Sequence, residues 1–230
     1  MAGVSRLQYT PEIRLIRVMC SGRVDLEFIL RAFYKGMDGV FIGGCKLNEC
    51  NYITHGNYDA WANVLLFKKL MERIGLNPER LSIEFMSAGD GILLVDLIND
   101  FTRKVKEIGP LGEAEGLDKD RLKFNLDAVH QLIPYMRLVE RERLRAPSKS
   151  RDAYEAFFAS DEFDSIFNEL IGDKLAISQI TSLLREKPLS MGEIAESLGL
   201  NSSEVSRHMN TSSRHRLVRF DENQSCYTLA

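Results

Sequence analysis

The feature that most restricts the fold is an alternation. Short β-branched runs take turns with longer amphipathic segments over the first 145 or so of 230 residues. Residues 13–19 (IRLIRVM), 39–43 (GVFIG) and 81–86 (LSIEFM) read as strands. Between them, residues 25–34 follow a helical pattern that Asp25 can cap and Gly36 can close. Residues 57–74 form a helix whose wide apolar stripe includes Trp61, Val64, Leu65, Phe67, Leu70, Met71 and Ile74, stopped by Gly75. Residues 91–108 form another, ended by Gly109-Pro110. This order predicts right-handed βαβ crossovers, hence an α/β fold with a small parallel sheet and flanking helices. A further helix is expected over 121–145, bent or broken at Pro134, because proline removes a backbone donor and crowds the preceding turn.

The pattern changes near residue 147. Residues 146–150 (APSKS) read as a linker, and 152–173 carry seven acidic residues and no basic one. Beyond them a helix over 177–186 is followed by two helix starts, each with its capping box, at Ser190/Glu193 and Asn201/Glu204, separated by a tight turn at Gly199. Two short strands, 217–220 and 225–229, then flank an Asp-Glu-Asn-Gln turn. Helix, helix, turn, helix and two-stranded wing is the plan of a winged helix-turn-helix. The expected organisation is an α/β domain over 1–146, a linker and acidic helix over 147–173, and a C-terminal all-α/winged-helix domain over 174–230.

Composition narrows the function. With 30 Lys and Arg against 33 Asp and Glu, the net charge of −3 excludes a nucleic-acid binder that works by global charge, though not one with a local basic patch. No apolar run approaches the roughly 20 residues of a membrane span. Met1 leads directly into polar residues without an export signal, so a cytoplasmic protein without a membrane partner is expected. Four cysteines are too few for a disulfide scaffold, and thiols that are reduced, metal-bound or redox-active are the better reading.

Three of those cysteines carry the chemistry. Cys20 follows the first expected strand, Cys45 follows the second, and Cys50 lies five residues beyond Cys45. In a parallel sheet all strand C-termini share one edge, where open α/β folds bind their ligands. Thiols from two loops would therefore converge on one crevice, and Gly22, Gly43 and Gly44 would allow close backbone approach. Soft sulfur donors suit an iron–sulfur cluster or zinc equally at this level, and three buried apolar cysteines would give the same pattern. A fourth ligand could come from His55 or from a partner. Cys226 lies in the expected wing, where it reads as a half-buried packing residue. Ser87-Ala88-Gly89-Asp90-Gly91 could cradle an anion, but a plain strand-to-helix turn is favoured.

Four stretches, IRVMCSGRVD (16–25), GGCKLNECNYITHGNY (43–58), GLNPERLSIEFMSAGDG (75–91) and FTRKVKEIGPLG (101–112), make a family resemblance visible. Over about residues 2–145 the chain resembles the delta subunit of methyl-viologen-reducing hydrogenase. The resemblance implies a small iron–sulfur subunit with a two-iron (2Fe-2S) cluster. It would relay electrons between a hydrogenase or formate dehydrogenase and the flavin subunit of heterodisulfide reductase. Cys20, Cys45 and Cys50 fall on the family's cysteine positions. Members of the family normally start with an additional strand ending in a C-x-x-C type motif. The resemblance therefore also implies a longer product, or a separate short chain that supplies the first strand, and a missing cluster ligand without it. The appended winged helix resembles a tail found on some members.

The winged helix could bind DNA or dock a protein. Residues 201–220 hold four arginines against one glutamate, and Ser203, Arg207 and Arg214 are the candidate DNA contacts. Yet 174–230 as a whole has seven basic and six acidic residues, and the acidic stretch beside it would repel a duplex. Docking or assembly is therefore expected ahead of DNA binding. An electron-transfer subunit is the first functional expectation, a redox-responsive transcription regulator the alternative, and a zinc-stabilised structural protein the third.

Overall fold

The structure is a computed structural model that describes residues 7–52, 54–222 and 224–230. Its sheet pairs β1 (Val40–Gly44) with β2 (Leu81–Phe85) in parallel, from Val40 opposite Leu81 to Gly44 opposite Phe85. α2 (Asn57–Arg73) makes the crossover between them and buries Val64, Leu66, Phe67, Leu70 and Met71. It shares its core with α1 (Leu26–Tyr34) and with Val40, Ile42, Leu81 and Ile83 on one sheet face. On the other face α3 (Gly91–Ile108) sets Phe101 against Phe41, ring centroids 5.6 Å apart. Helix and sheet approach closely at Gly39, where a Cβ would lie 2.7 Å from Val105.

Residues 13–19 do not form the expected strand. They run as irregular chain with Leu15, Ile16 and Met19 exposed at 74%, 82% and 89%. The reason is non-local. A strand needs a ladder to satisfy its backbone groups, and among the described residues none pairs with this segment, however strand-like its side chains. Only the stretch just before it is tied down, by the Thr10 amide on Asn99 (3.1 Å) and Glu12 on Lys106.

α4 (Lys119–Glu142) is not interrupted at Pro134. Pro134 and His130 both lie on its exposed side, so water meets the carbonyl that proline leaves without a donor. Two ion-pair fasteners hold the body. Asp25 caps α1 by accepting from the Glu27 amide and also takes the Arg137 guanidinium of α4 (2.7 Å). Arg80, fully buried, gives a two-pronged contact to Glu115 (2.6 and 3.1 Å) and bonds the carbonyls of Asp38, Gly109 and Pro110.

The acidic stretch bends at Ser160, which caps α6 (Asp161–Phe167) after α5 (Arg151–Phe158). From α6 the chain passes through a π-helical turn (Asn168–Gly172) straight into α7 (Asp173–Glu186). This rod serves two cores: Phe163, Phe167, Ile171 and Leu175 join the main one, while Ile180 and Leu184 join the second. The second core also holds Ile194 of α8 (Met191–Leu198) and Val205 and Met209 of α9 (Ser202–Arg214). β3 (Val218–Asp221) and β4 (Cys226–Leu229) close it as an antiparallel wing. Both expected capping boxes form, and Gly199 turns with φ +66°. Gln179 bonds Asn125 (3.0 Å) and Ser178 bonds Gln131 (3.3 Å), fixing α7 to α4. Among the described residues no helix is long and apolar enough to cross a membrane.

Candidate metal centre

The C-terminal edge of the sheet is built from four pieces: the end of β1, the loop residues 45–52 and 54–56, the first turn of α2, and the 3₁₀ turn Ser21–Arg23. Cys20 stands immediately before that turn, and its carbonyl accepts the Arg23 amide (3.0 Å). Cys45 follows β1 directly. A tight turn, with Glu49 bonded to the Lys46 carbonyl and Asn48 at φ +69°, then brings Cys50 back toward it. The loop is pinned on its outer side by Lys46 on Asp90 (3.1 Å), Ser87 on Glu49 (3.1 Å) and Tyr58 on Asn48 (3.0 Å).

The titrations of Cys45 and Cys50 are linked to each other and to Cys20. Partial desolvation, with Cys50 beside it and the Cys20 and Cys50 charges nearby, pushes the Cys45 thiol up to about 11 even though the residue as a whole is exposed. At Cys50 burial also acts upward. It is outweighed by the backbone amides of Asn57 and Tyr52 and by the thiols of Cys45 and Cys20, so this thiol is lowered. Of Cys45 and Cys50, the thiolate is therefore held better on Cys50. Cys20 and Cys50 are half-buried and Cys45 is exposed.

Two residues that the sequence reading passed over organise this site. Asn57 is buried at the start of α2, and its amide donates to the carbonyls of Cys45 and Lys46 (2.8 Å each) and stands 3.7 Å from the Cys45 sulfur. Gly56 packs so tightly that a Cβ would lie 2.5 Å from the Cys50 sulfur and 2.3 Å from the Tyr52 carbonyl oxygen. A Gly-Asn pair opening a helix just after a cysteine loop was the available signal. The three glycines singled out from the sequence differ from one another. Gly22 is needed, because a Cβ there would meet the His55 and Gly56 carbonyl oxygens at 2.4 and 2.8 Å. Gly44 is tight against Phe85 (3.1 Å) and the Ser21 hydroxyl (3.2 Å). Gly43 has ordinary room, with its nearest neighbours at 3.9 Å.

The donor set at this rim, three soft thiols with a buried Ser21 hydroxyl that has no hydrogen-bond partner among the described residues, is of the kind that would suit a thiophilic metal or an iron–sulfur group. The set is not closed. Among the described residues no three His, Cys, Asp or Glu side chains stand together as a finished metal-binding group. His55 is engaged elsewhere, its Nδ1 2.9 Å from Asp59 and its side chain 70% exposed. The 87–91 segment is a plain turn, closed by the Asp90 carboxylate on the Ser87 amide (2.9 Å). In the winged helix Ser203, Arg207 and Arg214 are exposed, Arg207 pairs with Asp173 (2.9 Å), and Cys226 is half-buried in β4.

Residues 1–109 match the family model described as methyl-viologen-reducing hydrogenase, delta subunit. Residues 178–211 match that of the bacterial regulatory protein, arsR family. Over 112 residues the chain is 45% identical to a component of the ferredoxin/F(420)H(2)-dependent CoB-CoM heterodisulfide reductase of Methanosarcina acetivorans, a match covering 49% of this chain and 14% of that protein. Over 118 residues it is 44% identical to the vhc iron-sulfur subunit of the F420-non-reducing hydrogenase of Methanococcus voltae, covering 51% of this chain and 81% of the relative. The iron-sulfur subunit of the F420-non-reducing hydrogenase of Archaeoglobus profundus is 40% identical over 110 residues, 80% of its length. The chain thus spans most of the small hydrogenase proteins but only a small part of the much longer reductase proteins.

Proposed function

The chain belongs to the methyl-viologen-reducing hydrogenase delta-subunit family, and on that premise we propose that it is an electron-transfer subunit holding a two-iron cluster through Cys20, Cys45 and Cys50. Its place is between a hydrogenase or formate dehydrogenase and the flavin subunit of a heterodisulfide reductase. What supports this reading is that Cys20, Cys45 and Cys50 come from two separate segments at one sheet edge, and that the titrations of Cys45 and of Cys50 are each affected by the other two thiols. A second support is that the relatives use one homologous segment in two ways, as a separate small hydrogenase protein and as a part of a long reductase protein. A segment that exists in both forms is one that works in contact with the rest of the reductase.

A two-iron cluster held there would supply one-electron oxidation and reduction. The chain's own residues do the positioning. Asn57 ties the Cys45 loop to α2, and Gly22 and Gly56 let the 50–56 segment lie against the Cys20 turn. The backbone amides of Asn57 and Tyr52 act to lower the Cys50 thiol, and the Ser21 hydroxyl, without a hydrogen-bond partner among the described residues, would be a donor to a neighbouring sulfur. Such bonds raise a reduction potential by favouring the more negative state. No acid or base is required. Leu15, Ile16 and Met19 stand exposed just before Cys20, an apolar margin suited to a partner that must approach the centre closely.

Anaerobic preparation from the native source, with iron and sulfide assays and identification of co-purifying chains, tests the proposal. The expected result is iron and inorganic sulfide in equal amounts, lost in Cys50→Ser, together with large redox partners. Protein free of iron and sulfide, or iron content indifferent to Cys50→Ser, overturns it.

A further inference from the structure

We infer that the Ser21 hydroxyl sets how readily the thiol centre takes up an electron, by donating a hydrogen bond to an inorganic sulfide of the cluster rather than to a cysteine sulfur. This rests on the cluster reading proposed above and deepens it, by giving one side chain control of the reduction potential.

The observation is a buried hydroxyl with nothing to bond. Ser21 is 6% exposed, and its Oγ has no hydrogen-bond partner among the described residues. A buried polar group left this way costs stability, so each one in a folded chain calls for a reason. Its position points to one. Ser21 opens the 3₁₀ turn directly after Cys20, and its carbonyl accepts the Val24 amide (2.8 Å). Its Oγ lies 3.2 Å from where a Cβ on Gly44 would stand, and Gly44 is the residue before Cys45. The hydroxyl is thus wedged between the two segments that carry Cys20 and Cys45.

The acceptor follows by exclusion. None of the three cysteine sulfurs accepts from Ser21. The neighbouring side-chain donor, Asn57, is already committed. It has two amide hydrogens, gives them to the carbonyls of Cys45 and Lys46 (2.8 Å each), and stands 3.7 Å from the Cys45 sulfur. A cluster held by these thiols brings its own sulfides, the one class of acceptor that the chain itself does not contain. Reduction adds one electron to the iron pair and breaks no bond. The added charge is shared with the sulfides, so a donor there bonds the reduced form more strongly and raises the potential.

Ser212 is an internal reference. Its hydroxyl is also buried without a partner among the described residues, but it sits on α9, which packs on α7, α8 and β3. It shares the burial of Ser21 and not its place beside the thiols.

The full chain, reconstituted anaerobically with iron and sulfide, tests this by redox titration and resonance Raman spectroscopy. A hydrogen bond of ordinary net strength shifts an equilibrium roughly 2- to 12-fold. At about 59 mV per tenfold for one electron, Ser21→Ala lowers the midpoint potential by about 20–65 mV, with iron and sulfide per chain at the wild-type level. The bridging-sulfide Raman modes shift in D2O for the wild type and not for Ser21→Ala, whereas the cysteinyl modes respond alike in both. Without iron, Ser21→Ala raises the urea midpoint, because a buried hydroxyl without a partner is gone. Ser212→Ala raises that midpoint too, and leaves the potential and the Raman modes as they are. An unchanged potential in loaded Ser21→Ala overturns the inference. So does a lowered urea midpoint in its iron-free form, which makes the hydroxyl structural, and so does loss of iron, since a donor that only tunes is not a ligand. A wild-type chain that takes up no iron and sulfide overturns the cluster reading and this inference together, so loading of the wild type tells the two failures apart.

Discussion

Gly22→Ala is a small change with a large expected consequence at the thiol rim. The new methyl would lie 2.4 Å from the His55 carbonyl oxygen, 2.8 Å from that of Gly56 and 3.0 Å from the Gly56 Cα. All three are backbone atoms, so no side chain can swing aside. To bring the closest contact out to 3.0 Å, the 55–56 backbone must retreat from the Cys20 turn by ~0.6 Å, a displacement of the kind that costs about 1–3 kcal/mol when a packed site is overfilled. Metal sites tolerate about 0.2 Å in ligand distance. The retreat therefore falls on the geometry that sets Cys50 against Cys20, and a loss of this size lowers cluster retention by about 5- to 150-fold. Gly43→Ala is the matched control. Its methyl meets nothing closer than 3.9 Å, so both stability and iron content are expected to hold. The assay is iron and sulfide per chain after anaerobic reconstitution, with the urea midpoint measured on the same samples. Full iron content in Gly22→Ala, or equal losses in both variants, refutes the reasoning.

Three further outcomes are expected. Arg80→Met removes the fully buried guanidinium and strands the Glu115 carboxylate and three carbonyls, so urea unfolding should show a loss of about 3–5 kcal/mol; a loss under ~1 kcal/mol would mean the pair is not buried as described. Ser212→Ala deletes a fully buried hydroxyl that has no partner among the described residues, and a gain of roughly 1 kcal/mol is expected in the same assay; a clear loss would count against it. Burial lowers the His208 imidazole below its ordinary value, against the pull of Asp173. The unfolded chain therefore takes up a proton first, and stability present above about pH 6.5 is lost as the pH falls below it. His208→Gln should flatten the decline in the urea midpoint between about pH 7.5 and 5.5, and an unchanged slope would remove His208 as its cause.

Local chemistry was legible in the sequence alone. Asp25, Ser190 and Asn201 announce helix starts because their side chains bond an amide two or three residues along the chain, and Gly36, Gly75 and Gly199 announce ends because those turns need a positive φ. The strand–helix alternation fixed the α/β class and, with it, the sheet edge where Cys45 and Cys50 had to lie. What the sequence could not decide depends on partners distant along the chain. Residues 13–19 have the composition of a strand but no ladder. Pro134 sits inside a helix because its unpaired carbonyl faces water. The acidic stretch is core on its Phe163 and Phe167 side. Gly22 and Gly43 look alike as letters, yet only one touches a neighbouring backbone. Propensity and capping act over one turn of chain and can be read directly. Packing, burial and the company a charge keeps are set by what the folded chain brings alongside, and for this protein those decided the shape of the thiol rim.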